Sequence, residues 1–483
     1  MKRTLIYFSA AALFFFSGCE KFLDHEPDQR ADLNSVEKMS ELLATAYPKG
    51  DYITMAESMS DNAGDKGGGT VEAINQNPYF FNDVQSKDEG SPDYYWEACY
   101  AAISAANHAL DAIGKVPNPN EYKALKGEAL LARAYSHFML VTFFSKVYNP
   151  ATAASDPGIP YVTEPETVVI KKYERKTVQY VYDMIEKDLN EGLPLINNSI
   201  YKSPKFHFNT TAARAFAVRF YLFKRDYAKV LEQANLAFPG STISANLRPW
   251  ATSYAAMTYY VLQAQYTRST ENANLLLVET PSVWGRNYAS YRYGLTNTIQ
   301  SATLSSNNPA GATLAYRVYG GTDLVLNIPK FYEHFVRANA NAQIGDPYNM
   351  VPLLTTEEVL FNKAEAYVEL GRYQEAVSLI NTFLSTRVED YDPGLDALTI
   401  AKAMAFYQTS DTKDALIKSI LHFKRAEFMH EGMRWFDMLR HGIPVVHQSF
   451  DKSTSIVIGP EDPRRVVQIP QEAATSGIEL NPR

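Results

Sequence analysis

The sequence predicts a mainly α-helical protein: a helical repeat scaffold broken by a long irregular insertion that carries loops and short strands. Three observations lead there. Apolar residues recur three and four apart over several long stretches between 33 and 238. The stretch "LFNKAEAYVELGRYQEAVSLINTFL" (360–384) places Ala364, Tyr367, Gly371, Tyr373 and Ala376 at tetratricopeptide spacing, where small residues let two antiparallel helices approach and aromatics fill the gap beside them. From 239 to about 352, polar small residues, glycine and aromatics alternate with little helical period, the mark of an insertion rather than another repeat.

In chain order, Lys2 and Arg3 precede an apolar run from Leu5 to Phe16, then small Ser17 and Gly18, then Cys19. This is the layout of a secretory signal over 1–18, too short for a stable membrane span, which needs ~20 apolar residues. "FSGC" resembles the bacterial lipobox, so mature Cys19 is expected to carry acyl chains, palmitate among them. Residues 19–32 are charged and read as a tether. Residues 33–483 then form the folded domain. Helices are expected over 33–47, 95–113 and 124–144, the last two as a hairpin. Prolines 150, 157, 160 and 165 break helical structure at 148–167. A further pair follows at 177–196 and 211–238, where Tyr221, Tyr227, Val230 and Ala234 make a weaker copy of the repeat. "ALLARAY" (129–135) resembles the first helix of a third. One unit cannot bury its own face, so the units must stack.

The chain of 483 residues has only two cysteines, Cys19 and Cys99, so acylation of Cys19 leaves no intrachain disulfide. Stability must come from the core, for which the length is ample. The formal net charge is −8, and loss of Lys2 and Arg3 with the leader takes it to −10. That argues against nucleic acid as a partner, and against adhesion to anionic lipid by charge. Tyrosine (32) outnumbers phenylalanine (25), and tyrosine keeps one polar end, which suits partly exposed binding surfaces.

Ordered blocks over nearly the whole chain resemble the SusD/RagB-like surface lipoproteins of Bacteroidetes. "CEKFLDHEP" is similar to the mature N-terminus of that family, and "YWEACYAAISAANHALDAI" to its first core helix. "GIPYVTEPET" resembles its crossover strand, and "KRAEFMHEGMRWFDMLRHG" (424–442), followed by "VVQIPQEAATSGIELNPR", its C-terminal signature. The resemblance implies a lipid-anchored protein facing outward on the outer membrane. It would bind oligosaccharide and deliver it to a SusC-like TonB-dependent β-barrel transporter, with no bond chemistry and no cofactor. The same fold and partner with peptide as cargo is the alternative; Arg286, Arg292 and Arg317 would then hold carboxylates. A tethered glycoside hydrolase and a protein adaptor are the remaining classes.

The residues themselves offer little catalytic chemistry. "HEGMR" (430–434) has Arg434 where a zinc helix needs histidine, so no metal is expected, and "GDKGGGTVEA" (64–73) lacks the lysine-serine ending of a phosphate loop. Asp61, Asp65, Asp83 and Asp88 do not have EF-hand spacing. Within 424–442, Glu427, Glu431 and Arg434 fall on one face of a single helix and are expected to pair. A glycan binder needs flat aromatic faces beside hydrogen-bonding groups. Two stretches supply both: 75–96, with Tyr79, Phe81 and Tyr94, and the insertion, with Trp250, Trp284, Tyr288 and Tyr291. The competing role for either tryptophan is core packing; Trp96 and Trp435, on helices, are expected in the core.

Overall fold

Helical hairpins make up most of the molecule, and local sequence fixes where each begins and turns. The computed structural model describes residues 33, 35–166, 172–337, 339 and 341–483; the predicted leader, the tether and Cys19 lie outside the described residues. The chain opens with α1 (Val36–Leu43), α2 (Ile53–Met59), the two-residue strand β1 (Gly64–Asp65) and α3 (Ala73–Tyr79). The helix expected over 33–47 is shorter: Ser35 caps its start, and the chain leaves the helix at Ala44. Then come α4 (Pro92–Ile113) and α5 (Lys123–Phe144), which pack together, with α6 (Val178–Gly192) on the far side of α5. Gly127 and Gly192 face each other where α5 meets α6. A Cβ on Gly127 would stand 3.0 Å from the Gly192 carbonyl oxygen, so the close approach depends on both. The weaker repeat copy divides into α7 (Thr210–Lys224) and α8 (Tyr227–Ala237). Three of the long helices start on side-chain caps: for α4, Ser91 Oγ accepts from the Tyr94 amide, for α6 Thr177 from Tyr180 and for α7 Asn209 from Ala212, at 3.0–3.2 Å.

The insertion holds α9 (Tyr259–Tyr266), β2 (Asn274–Pro281), α10 (Val283–Asn287), β3 (Tyr293–Gly294), α11 (Asn297–Thr303), β4 (Glu333–Val336) and β5 (Asp346–Thr355). Strands β2, β5 and β4 form an antiparallel sheet in that order, and β3 pairs with β1, tying the insertion to the N-terminal segment.

The scaffold resumes with α12 (Thr356–Glu369) and α13 (Tyr373–Leu384), the repeat read most clearly from sequence, which packs on α7 and α8. Ala364 and Ala376 are buried at the helix contact, and Gly371 (φ 74°) makes the left-handed turn between them. The chain ends with α14 (Ile400–Tyr407), α15 (Thr412–Glu427), α16 (Met433–Arg440) and the hairpin β6 (Val445–Gln448) with β7 (Ser455–Ile458).

The single helix expected over 424–442 is two helices. The chain turns at His430 (φ 75°) and Gly432 (φ 73°), both left-handed, so Glu427, Glu431 and Arg434 point apart. Each finds a different partner: Glu427 takes Arg387 at 2.8 Å, Glu431 takes Lys330 at 2.6 Å and Arg434 takes Asp61 at 2.8 Å. These ions are buried. Glu427 joins Arg387, Glu357 and Arg248 in a network where scaffold and insertion meet, beside the bidentate Arg219–Glu358 pair. Burial would push the Glu427 carboxyl up, but the Arg387 guanidinium wins and holds it at about 2. Both acids, Glu427 and Glu431, are buried and paired with cations.

Candidate functional site

A cleft of about 680 Å³ opens where the 72–89 segment meets α10 and the start of β5. It therefore joins the two stretches singled out as aromatic and polar in the sequence. Gly90 explains how they meet: at φ 81°, its Cβ position is 2.8 Å from Val283 Cγ1, so only glycine lets α10 seat there. The Ser282 amide donates to the Pro347 carbonyl at 2.9 Å, which fixes the other wall.

The lining carries the polar groups Glu72, Ser86, Asp88, Glu89, Arg286 and Asn287 among apolar Ala73, Ile74, Val283 and Pro347. Arg286 is held in a bidentate pair by Glu333 at 2.8–2.9 Å, and its guanidinium lies 5.8 Å from the centre of the Phe335 ring, which is 58 % exposed. Burial and then Asp346 raise the Glu89 carboxyl. Half-buried Tyr94 and Tyr348 both feel the Glu89 charge, which adds to burial in raising both phenols. The site thus offers carboxylate acceptors and a guanidinium donor close together, with Tyr94 and Tyr348 near enough to feel the Glu89 charge. That is what a polyhydroxylated ligand with apolar C–H faces can use.

Of the seven aromatics expected to contact ligand, only Tyr94 keeps a half-open position beside this cleft. The other six are core. Trp250 is fully buried between Tyr254, Tyr266 and Tyr316, with ring centres 5.1–6.1 Å away. Trp284 is buried and donates Nε1–H to the His430 carbonyl at 2.8 Å. Tyr79 stacks between Tyr293 and His447, and Phe81 packs on Trp435. Tyr288 stands edge-on to His430, and Tyr291 donates to Glu72 at 2.9 Å. None of the six presents an open ring face; the four in the insertion serve as large buried anchors where the chain has no repeating hydrogen bonds. Trp96 and Trp435 are buried as expected.

Sequence reasoning missed Glu72, Glu89, Asn287 and Tyr348, although all lie in or beside the two stretches it named. The arginines weighed as peptide-carboxylate holders are engaged: Arg286 by Glu333, Arg292 by Asp65, and Arg317 by the Ala255 carbonyl and Glu389. The four aspartates weighed for calcium do not converge. Asp61, Asp65 and Asp83 each pair with an arginine, and Asp88 accepts from Ser86. Among the described residues no group of three or more His, Cys, Asp or Glu is placed to hold a metal ion.

Fold and cleft define a class: a tetratricopeptide-type helical scaffold whose insertion, with the 72–89 segment, builds a surface cleft lined by carboxylates and an arginine. Two family profiles match this chain. The SusD-like profile described as "Starch-binding associating with outer membrane" covers residues 21–222, and the SusD family profile covers 331–476. The chain belongs to the SusD/RagB-like family. It is 23 % identical over 392 residues to SusD-like protein P2 of Formosa agariphila, covering 74 % of this chain and 73 % of that one. Its fold matches a SusD superfamily protein of Bacteroides thetaiotaomicron with a TM-score of 0.66 at 19 % identity, over 92 % of this chain and 98 % of that one. A laminarin-binding SusD-like protein matches with a TM-score of 0.58 at 17 % identity, over 93 % and 99 %. Neither family profile describes an enzyme, and no described helix is long and apolar enough to cross a membrane.

Proposed function

We propose that this protein is a lipid-anchored receptor, held at the outer membrane through acylated Cys19. It captures oligosaccharide in the cleft between the 72–89 segment and α10 and passes it to a SusC-like TonB-dependent transporter without breaking bonds. The cleft carries the reading: Glu72, Asp88 and Glu89 line it together with Arg286, which pairs with Glu333, and Tyr94 and Tyr348 are near enough to feel the Glu89 charge. Family membership supports it, as does the laminarin binding named for a structural neighbour. Modest intrinsic affinity suffices, because closing the receptor onto its transporter would bury the cargo between two proteins.

The test is affinity electrophoresis of the detergent-purified chain in gels containing a panel of polysaccharides. One glycan class should retard the protein. Tyr94→Ala and Tyr348→Ala should each weaken retention about tenfold, the effect of losing a stacking partner worth ~1–1.5 kcal/mol, with unchanged melting temperature. Retardation that survives both changes would remove the cleft from the proposal, and retardation by no glycan would remove the function.

A further inference from the structure

Seven arginines of the described chain are buried, and five of them hold a carboxylate: Arg133 with Asp188, Arg219 with Glu358, Arg248 with Glu357, Arg387 with Glu427 and Arg434 with Asp61. The other two, Arg175 and Arg465, have no acidic partner within ion-pair distance among the described residues. Both line the same cavity of about 380 Å³, between the C-terminal end of α5 and the 460–466 segment.

Their polar contacts are otherwise neutral. Arg175 donates to the carbonyls of Gly158, Phe144 and Glu479 and to Asn481 Oδ1, at 2.7–3.3 Å. Arg465 donates to the carbonyls of Ile443 and Met438, at 2.9 and 2.6 Å. Carbonyl dipoles orient a guanidinium but do not neutralise it. Burial accordingly lowers both groups from the usual arginine range, whereas in the five paired arginines the interacting groups outweigh burial and raise it.

A second observation is independent of the arginines. Ser145, which ends α5, also lines the cavity; it is 3 % exposed, and its Oγ has no hydrogen-bond partner among the described residues. A buried hydroxyl without a partner calls for one, here inside a cavity large enough to supply it. The carboxylates of the lining do not fill that role. Asp156 faces Lys146 at 3.4 Å, Asp462 takes Arg464 at 2.7 Å and Glu461 is exposed to solvent.

We propose that this cavity, separate from the glycan cleft, binds a small oxyanion (a carboxylate, sulfate or phosphate group) between Arg175 and Arg465, with Ser145 Oγ donating to it. The group is either a free ion or the acidic substituent of a sugar. The experiment is calorimetric titration and thermal melting of the detergent-purified full chain with sodium sulfate, phosphate and acetate, at ionic strength matched with sodium chloride. Galacturonate and galactose 6-sulfate form the sugar-borne arm.

At least one oxyanion should bind saturably and raise the melting temperature. Ser145→Ala should weaken it about tenfold, the usual loss for a hydrogen bond to a charged group, and Arg465→Gln should abolish it. Tighter binding of the sugar-borne group than of its inorganic counterpart would assign the site to an acidic glycan; equal or weaker binding would assign it to the free ion. If Arg465→Gln fails to fold, Ser145→Ala still decides, because it removes only an unpartnered hydroxyl. The proposal fails if no oxyanion exceeds matched chloride, or if Ser145→Ala binds as tightly as the unaltered chain.

Discussion

Scaffold and insertion both bury many aromatic rings, but they use them differently. In the scaffold, Phe138, Phe216, Phe220 and Phe223 meet edge to face at 5.1–6.3 Å and carry no polar atom; the helices around them have already paired their own backbone. In the insertion the rings bring polar tips that pin the chain. Trp284 donates to the His430 carbonyl, Tyr266 to Glu431, Tyr316 to Glu427 and Tyr254 to Glu271. Helices need apolar bulk to stack. An irregular segment also needs fixed points, and an aromatic with a hydrogen-bonding end supplies volume and a fixed point together.

Deleting one ring from each region tests this most strongly. Phe138→Ala and Trp284→Ala should each cost ~3–5 kcal/mol in denaturant unfolding. The pattern should differ: hydrogen exchange in Trp284→Ala should rise at 283–295 and around His430 while the α4–α6 layers stay protected. Equal loosening throughout would show that the insertion is ordinary core and not pinned chain.

The same distinction explains what could be read beforehand. The hairpins α4–α5, α7–α8 and α12–α13 were legible because a 3.6-residue period and capping residues are local properties. The break at His430 was not, because nothing adjacent marks a left-handed histidine; it is held from afar by Trp284 and by Glu57, which accepts from the Gly432 amide at 2.8 Å. The cleft was half legible. Its two walls were named from composition, but whether Tyr94 or Trp284 faces solvent depends on Gly90 and Val283 meeting across the fold, which no local pattern records.

Glu57 sits at the junction of the two regions, and its titration probes that junction. Burial pushes its carboxyl from 4.5 up to about 7, against the amide of Gly432 and the side chain of Asn62. The folded state therefore binds the proton more tightly than the unfolded one between those values. Stability should fall as pH rises from about 4.5 to about 7 and level off above that. Glu57→Gln should flatten this part of the profile by up to ~3 kcal/mol, at ~1.4 kcal/mol per pH unit, read as the difference between the two proteins' unfolding curves. An identical slope in both would mean that the junction does not force the proton on.

A smaller effect separates ring from tip within the insertion. Trp250 and Trp284 are both buried, but Trp250 Nε1 has no partner among the described residues whereas Trp284 Nε1 is bonded. Replacing each with phenylalanine should cost Trp284 about 1 kcal/mol more, since only that change strands a carbonyl. Equal costs would assign the stabilisation to ring volume alone.

The smallest prediction stays inside the scaffold, where two repeat hairpins make the same left-handed turn with different residues. α12 leads into α13 through Gly371 (φ 74°), and α7 into α8 through Arg225 (φ 62°). The backbone closes both turns alike: the Arg372 amide reaches the Tyr367 carbonyl, and the Asp226 amide reaches the Tyr221 carbonyl, at 2.8 and 2.9 Å. Space around Gly371 is open, so a side chain there would meet only the torsional penalty. Gly371→Ala should therefore destabilise by ~1 kcal/mol, while Arg225→Gly should stabilise by somewhat less, because the added glycine also gains freedom in the unfolded chain. Opposite signs would show that the two hairpins are one unit at different degrees of refinement. The same sign would mean that Arg225 contributes contacts at its turn that outweigh its strain.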